Sequence, residues 1–150
     1  MRLFLDANVL FSASLSTAGT AQALLVAAAK AGAQCVCSER AFAEAHRNLS
    51  AEAPQAVPEL ELISVLVSRV PEPQATQIDA ARAAGVVDKD APVFGAALAC
   101  AADWFVSCDQ RHFGHLFGRR VEGVLVPSLR AAVDRLSASP APRTTRGRTR

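Results

Sequence analysis

The sequence predicts an α/β protein, a three-layer α/β/α sandwich around a mostly parallel sheet of about four to five strands. Three observations carry that expectation. The short runs Leu3 to Leu5 and Trp104 to Ser107 are almost wholly apolar, as strands buried on both faces are. Between them lie alanine-rich or amphipathic stretches of helical length with recognisable start and stop residues. Strand-like and helix-like segments alternate along most of the chain, the pattern of crossover units.

Taken in order, the first strand ends abruptly at Asp6, and Val9 to Ala18 reads as a helical turn and a small-residue loop. Thr20 is a fitting N-cap for a helix to about Lys30, with Gly32 as its stop. Gln34 to Cys37 is a second strand. Ser38 caps a helix over about Glu39 to Leu49, with Phe42, Ala45 and Leu49 as its apolar stripe. Pro54 and Pro58 interrupt the pattern. Leu60 to Val70 fits a helix ending near Leu66 followed by a strand over Val67 to Val70, although periodicity alone leaves that open.

Pro71 to Pro73 is a rigid connector, and Ala75 to Ala84 a helix closed by Gly85. Asp90 is an N-cap, with Pro92 in the first turn of a helix to about Ala102. The strand to Ser107 then leads into Cys108 and Asp109. Gln110 to Gly123 is a polar loop, Val124 to Val126 a strand, and Pro127-Ser128 the opening of a last helix to about Leu136. Residues 1–136 are thus expected to form one domain and 137–150 a basic, disordered tail.

Charge supports that division. The net charge is +2, but Arg143, Arg146, Arg148 and Arg150 place +4 in the last eight residues. Residues 1–142 then carry 12 basic and 14 acidic groups, so the folded part is not a basic nucleic-acid platform. The tail either holds phosphates electrostatically or is simply solvated. The longest uncharged apolar run, Ala91 to Ala102, is too short to span a bilayer. Asp6 interrupts the only N-terminal apolar stretch, which argues against a signal peptide and for the cytoplasm. Cys35, Cys37, Cys100 and Cys108 are then expected to be reduced and, for the most part, buried.

Four acids stand out by joint placement. Asp6 and Asp109 follow two apolar strands, so a parallel sheet brings both to its carboxyl edge, where open α/β sheets hold ligands. Asp90 opens the helix that leads into the second of these strands, and right-handed crossovers start their helices at that edge. Glu44, in the helix after strand two, lies off its apolar stripe and is expected at the same edge. Singly, each has a plainer reading: strand end, helix cap, turn former, or (Glu44 between Arg40 and Arg47) a surface ion pair. Together they would repel, and a hard divalent cation relieves the repulsion. All-oxygen ligands suit Mg²⁺ or Mn²⁺, and such sites perform phosphoryl chemistry.

At these residues the chain resembles the PIN-domain ribonucleases, the fold of VapC-type toxins. Leu5-Asp-Ala-Asn-Val-Leu10 is similar to the family's first motif, and Ser38-Glu-Arg-Ala-Phe-Ala-Glu44 to its helix carrying a single glutamate. Lys89 to Ala97 resembles the third motif, Ala102 to Asp109 the strand ending in the fourth acid, and Val126 to Leu129 the closing strand–helix step. The correspondence runs to about Leu136. It implies a metal-dependent endoribonuclease holding one or two Mg²⁺ or Mn²⁺ ions on Asp6, Glu44, Asp90 and Asp109 and leaving 5′-phosphate ends. It also implies a homodimer and, for a toxin, a cognate antitoxin that blocks the cleft. Cys108 departs from the family, which often has Gly there.

Asp88 and Glu39 compete with Asp90 and Glu44, though the latter pair keeps the family spacing. Asn8, Ser12 and Ser107 are candidates for orienting carboxylates or water, or make ordinary turn hydrogen bonds. Arg111, His112 and Arg119 either bind the RNA backbone or decorate a solvated loop. His112 and His115 beside Cys108 hint at zinc, but that ligand set is incomplete. A haloacid-dehalogenase-type phosphatase needs a second Asp where Asn8 stands. A receiver domain needs a placed lysine, and only Lys30 and Lys89 exist. A Rossmann domain needs a Gly-x-Gly-x-x-Gly absent here. A catalytically silent binding module remains the other alternative.

Overall fold

The computed structural model describes residues 1–138, so most of the expected tail, 139–150 with its four arginines, lies outside the described residues. Strands β1 (Arg2–Leu5), β2 (Gln34–Ser38), β3 (Val67–Val70), β4 (Trp104–Val106), β5 (Arg120–Val121) and β6 (Val124–Leu125) form one sheet in the order β3-β2-β1-β4-β6-β5. All neighbours run parallel except β5 against β6. The sheet therefore has one strand more than expected. The addition is the two-residue β5, which turns back on β6 inside the segment expected to be all loop.

The helices are α1 (Ala7–Leu15), α2 (Thr20–Ala31), α3 (Glu39–Glu52), α4 (Val57–Ser64), α5 (Ala75–Ala83), α6 (Ala91–Ala99), α7 (Gln110–Phe113) and α8 (Leu129–Ala138). Helices α1 to α4 pack on one another, α8 packs on α2, and α5 packs on α6. From β1 to β2 to β3 the chain moves steadily in one direction, then doubles back across β1 to reach β4. With right-handed crossovers, that reversal carries α5 and α6 to the opposite face. It also makes the gap between β1 and β4 the point where the winding switches direction, which is where such sheets open a ligand crevice.

Several element ends differ from the sequence expectation for local reasons. Helix α1 starts directly after Asp6, with Ala7, Val9, Leu10 and Ala13 buried. Gly19, not Thr20, occupies the N-cap of α2, without a side-chain cap bond. The stop at Gly32 holds: its φ of 70° is a left-handed cap that a side chain resists. Ser38 Oγ accepts from the Ala41 N–H at 3.2 Å, as an N-cap should. The buried stripe of α3 is Ala41, Ala45 and Leu49, and Phe42 sits beside it, half-buried beneath the Arg69 guanidinium 3.7 Å from its ring centre. Helix α8 continues two residues past the expected domain end at 136.

The core is contiguous, and an aromatic cluster within it joins β1, β4, α6 and α7. Phe105 of β4 stacks on Phe4 of β1 (ring centres 5.7 Å apart) and meets Phe94 of α6 edge-on at 4.8 Å. Phe113 of α7 packs on both Phe94 and Phe105, at 6.1 and 4.9 Å. All four side chains are essentially inaccessible. Strands and helices distant in sequence are thus clamped together. Gly95 brings α6 close to α5, because a Cβ there would stand 3.2 Å from the backbone of Gln77 and Ile78.

Candidate active site

Asp6, Glu44, Asp90 and Asp109 line a single cleft of about 240 Å³ at the carboxyl edge of the sheet. Ala7, Asn8, Phe11, Asn48, Glu52 and Lys89 complete its lining. The pairing of β1 with β4 sets Leu5 beside Val106, so the residues immediately after both strands emerge together. The pairing persists past the strands: the Asp6 N–H donates to the Val106 carbonyl at 3.0 Å, and on the other side of β4 Ser107 bridges to Ser128, after β6.

Asp6 is 7% exposed, and its carboxylate is fully engaged. Oδ1 accepts from the Ala7 N–H at 2.8 Å; Oδ2 accepts from the Ser107 hydroxyl at 2.8 Å and from Asn8 Nδ2 at 3.1 Å. Burial pushes its pKa up to about 7, with the Asp90 and Glu44 charges adding to the rise; the Ser107 and Ala7 hydrogen bonds oppose it. Ser107 Oγ also accepts from Asn8 Nδ2 and from the Asp109 N–H, both at 3.1 Å. Asn8 Oδ1 in turn accepts from the Cys108 N–H at 3.1 Å. Asn8 and Ser107 thereby tie the end of β1 to the end of β4. Ser12 Oγ stands 3.9 Å from Cys108 Sγ instead.

Asp109 is the N-cap of α7, its Oδ1 accepting from the His112 N–H at 3.0 Å. That turn folds the His112 ring back over the acids. Its Nδ1 lies 2.9 Å from Asp109 Oδ2 and 3.2 Å from Asp90 Oδ2. Asp90 occupies the N-cap position of α6, but its side chain makes no cap bond there and turns into the cleft. Lys89 Nζ approaches Asp90 Oδ1 at 3.7 Å from an exposed position. Despite their proximity, Asp90 Oδ2 and His112 Nδ1 form no hydrogen bond of acceptable direction, and both atoms are shielded from solvent. Asp90, Asp109 and His112 each offer a donor atom within 4.8 Å of the others, a grouping able to hold a cation.

The remaining candidates sit further out. Arg111 and Arg119 are exposed. His115 packs against Gly85, its Nε2 3.0 Å from where a Cβ would stand, and so does not pair with His112 as a zinc site would need. Cys35 and Cys37 are buried, Cys100 is half-buried and Cys108 is exposed, contrary to the expectation of mostly buried thiols at this last position. Shielding of its sulfur and the Asp6 and Asp109 charges still raise the Cys108 thiol above its ordinary pKa, the opposite of an activated nucleophile. Its backbone needs no glycine, since its φ is not positive.

Sequence reasoning missed Asn48, Glu52, Lys89 and the inward turn of His112. Glu44, Asn48 and Glu52 follow one another at helical spacing of four, a polar stripe beside the buried Ala41–Ala45–Leu49 one. His112 stands three residues after an acid that caps its own helix, a spacing that brings the two side chains to one face.

The family model described as PIN domain matches residues 2–111, a span that includes all four acids and stops one residue short of His112. No curated protein matches the chain, and no solved structure does.

Proposed function

The chain belongs to the PIN-domain family, whose members are in general nucleases, and on that premise we propose that it is an Mg²⁺- or Mn²⁺-dependent endoribonuclease. The observation that carries the reading is the convergence of Asp6, Glu44, Asp90 and Asp109 on one cleft at the winding switch of the sheet. The residues fit a divalent cation. Carboxylate oxygens dominate the lining, burial and neighbouring acids push Asp6 to about 7, and Asp90 Oδ2 has no hydrogen-bond partner. Asp6, Asp90 and Asp109 would hold one or two ions, with Glu44 contributing through water. When bound, such a cation polarises a phosphodiester and eases deprotonation of an attacking water.

The chain's own groups supply the positioning. Ser107 and Asn8 fix the Asp6 carboxylate so that no reorganisation is needed when charge develops. Lys89 at the rim, with Arg111 and Arg119 beyond α7, would draw the RNA backbone across the acids. Attack in line with the 3′-oxygen leaves a 5′-phosphate end. We further propose a cytoplasmic homodimer acting as the toxin of a type II toxin–antitoxin pair, with an antitoxin that blocks the cleft. Among the described residues, the exposed side chains of Val26, Leu62, Val65 and Leu66, on or just after α2 and α4, support a protein partner. No single described helix is long and apolar enough to cross a membrane.

The test is cleavage of RNA by purified wild type beside Asp6→Asn and Asp90→Asn, with Mn²⁺ and with chelator. Cleavage by the wild type alone, and only with metal, is expected, with both variants folded as well as the parent or better because like-charge repulsion is relieved. Undiminished cleavage by both variants overturns the assignment. Growth arrest on induction of the wild type, relieved by Asp90→Asn, tests the toxin role separately.

A further inference from the structure

We propose that His112 is a nitrogen ligand to the cation held by Asp90 and Asp109, making this a mixed nitrogen–oxygen centre that prefers Mn²⁺ to Mg²⁺. The inference rests on the metal-dependent nuclease reading and goes beyond its carboxylate set, because His112 lies outside the matched family span.

The geometry is that of donors waiting on a shared acceptor. His112 Nδ1 stands 2.9 Å from Asp109 Oδ2 and 3.2 Å from Asp90 Oδ2. Adjacent donors around an octahedral cation with bonds of about 2.1 Å are separated by about 3 Å, which matches both spacings. Neither Nδ1 nor Asp90 Oδ2 has a hydrogen bond, and neither reaches solvent. A buried polar atom without a hydrogen bond is unfavourable, so two facing each other point to a partner from outside the chain.

The fold also holds the ring in place. Asp109 Oδ1 takes the His112 N–H, and Phe113, the next residue, is locked between Phe94 and Phe105. Phe94 stands on the helix that Asp90 opens, so one aromatic cluster sets the spacing of all three donors. Mg²⁺ keeps to oxygen and water, whereas Mn²⁺, although the weakest binder of the divalent first-row series, accepts an imidazole nitrogen more readily than Mg²⁺ does. With Nδ1 on the cation, the ring carries its proton on Nε2.

Binding of Mn²⁺ to the full chain, followed by calorimetry and by pulsed electron paramagnetic resonance, tests this without any RNA present. The wild type is expected to show modulation from a coordinated imidazole nitrogen. His112→Gln is expected to lose that modulation and to bind Mn²⁺ roughly tenfold or more weakly, with a smaller change for Mg²⁺. Asp90→Asn identifies the site by weakening both ions. Tight Mn²⁺ binding that depends on Asp90 but shows no nitrogen modulation, or modulation that survives His112→Gln, overturns the role of His112 and leaves the nuclease reading standing. Failure of the wild type to bind Mn²⁺ at all overturns both.

Discussion

On the β1 side of the cleft, both Asp6 oxygens are occupied by hydrogen bonds from Ala7, Asn8 and Ser107. On the α6–α7 side, Asp90 Oδ2 and His112 Nδ1 face each other with no hydrogen bond at all. The first wall is satisfied by the chain's own donors; the second leaves two facing polar atoms without a hydrogen bond. The contrast separates two settings. Asp6 is a buried carboxyl held in place by the chain's own donors, and the Asp90–Asp109–His112 group is the half whose facing atoms the chain leaves without hydrogen bonds.

The largest expected effect falls on the second wall. If the chain is the proposed nuclease, Asp90→Asn should lower RNA cleavage at least about a thousandfold, measured with saturating Mn²⁺, because it would remove a ligand of the proposed cation. A residual rate within a few-fold of the parent would show that the second wall is dispensable. Next, Phe113→Ala should lower unfolding stability by about 3–5 kcal/mol in denaturant titration. It should also weaken Mn²⁺ binding in the fraction that stays folded, because the ring clamps α7 to β4 and α6. Unchanged metal affinity would break the link between the core and the second wall.

The first wall should reveal itself through pH. The folded pKa of Asp6, about 7, lies above its ordinary 3.8, so the folded chain binds this proton more tightly than the unfolded chain. Its contribution to stability is full below about pH 4 and is lost as pH rises toward about 7. The metal-free protein should therefore lose a few kcal/mol over that window, read as a falling Tm. Asp6→Asn should flatten the profile, and so should bound Mn²⁺, which favours the carboxylate. A metal-free Tm that climbs from pH 4 to 7 would contradict the burial argument. Smallest is Ser107→Ala, expected to reduce stability by about 1–2 kcal/mol, since Asp6 Oδ2 and the Asp109 N–H each lose a partner.

Much of the molecule was legible because its signals are local. Gly32 and Ser38 mark helix ends by backbone and cap chemistry that needs no distant partner. The strand over Val67–Val70 emerged where the apolar run outlasted its helix. Phe42, read as part of the apolar stripe of α3, does pack against the core but stays half-buried, and the Arg69 that covers it arrives from another strand, which the local sequence cannot show. Gly19 displaced Thr20 as the cap because propensity ranks residues without knowing where the preceding loop delivers the chain. The short strand β5 had too few residues for any periodicity.

What the sequence determined alone is that Asp6 and Asp109 share an edge: each ends an apolar strand, and parallel strands all end on the same side. Only the tertiary structure decided that β1 and β4 are neighbours, with the winding reversing between them, and that α7 turns His112 onto Asp90. Those facts depend on packing between Phe4, Phe94, Phe105 and Phe113, residues far apart in the chain whose contacts leave no periodic trace along it.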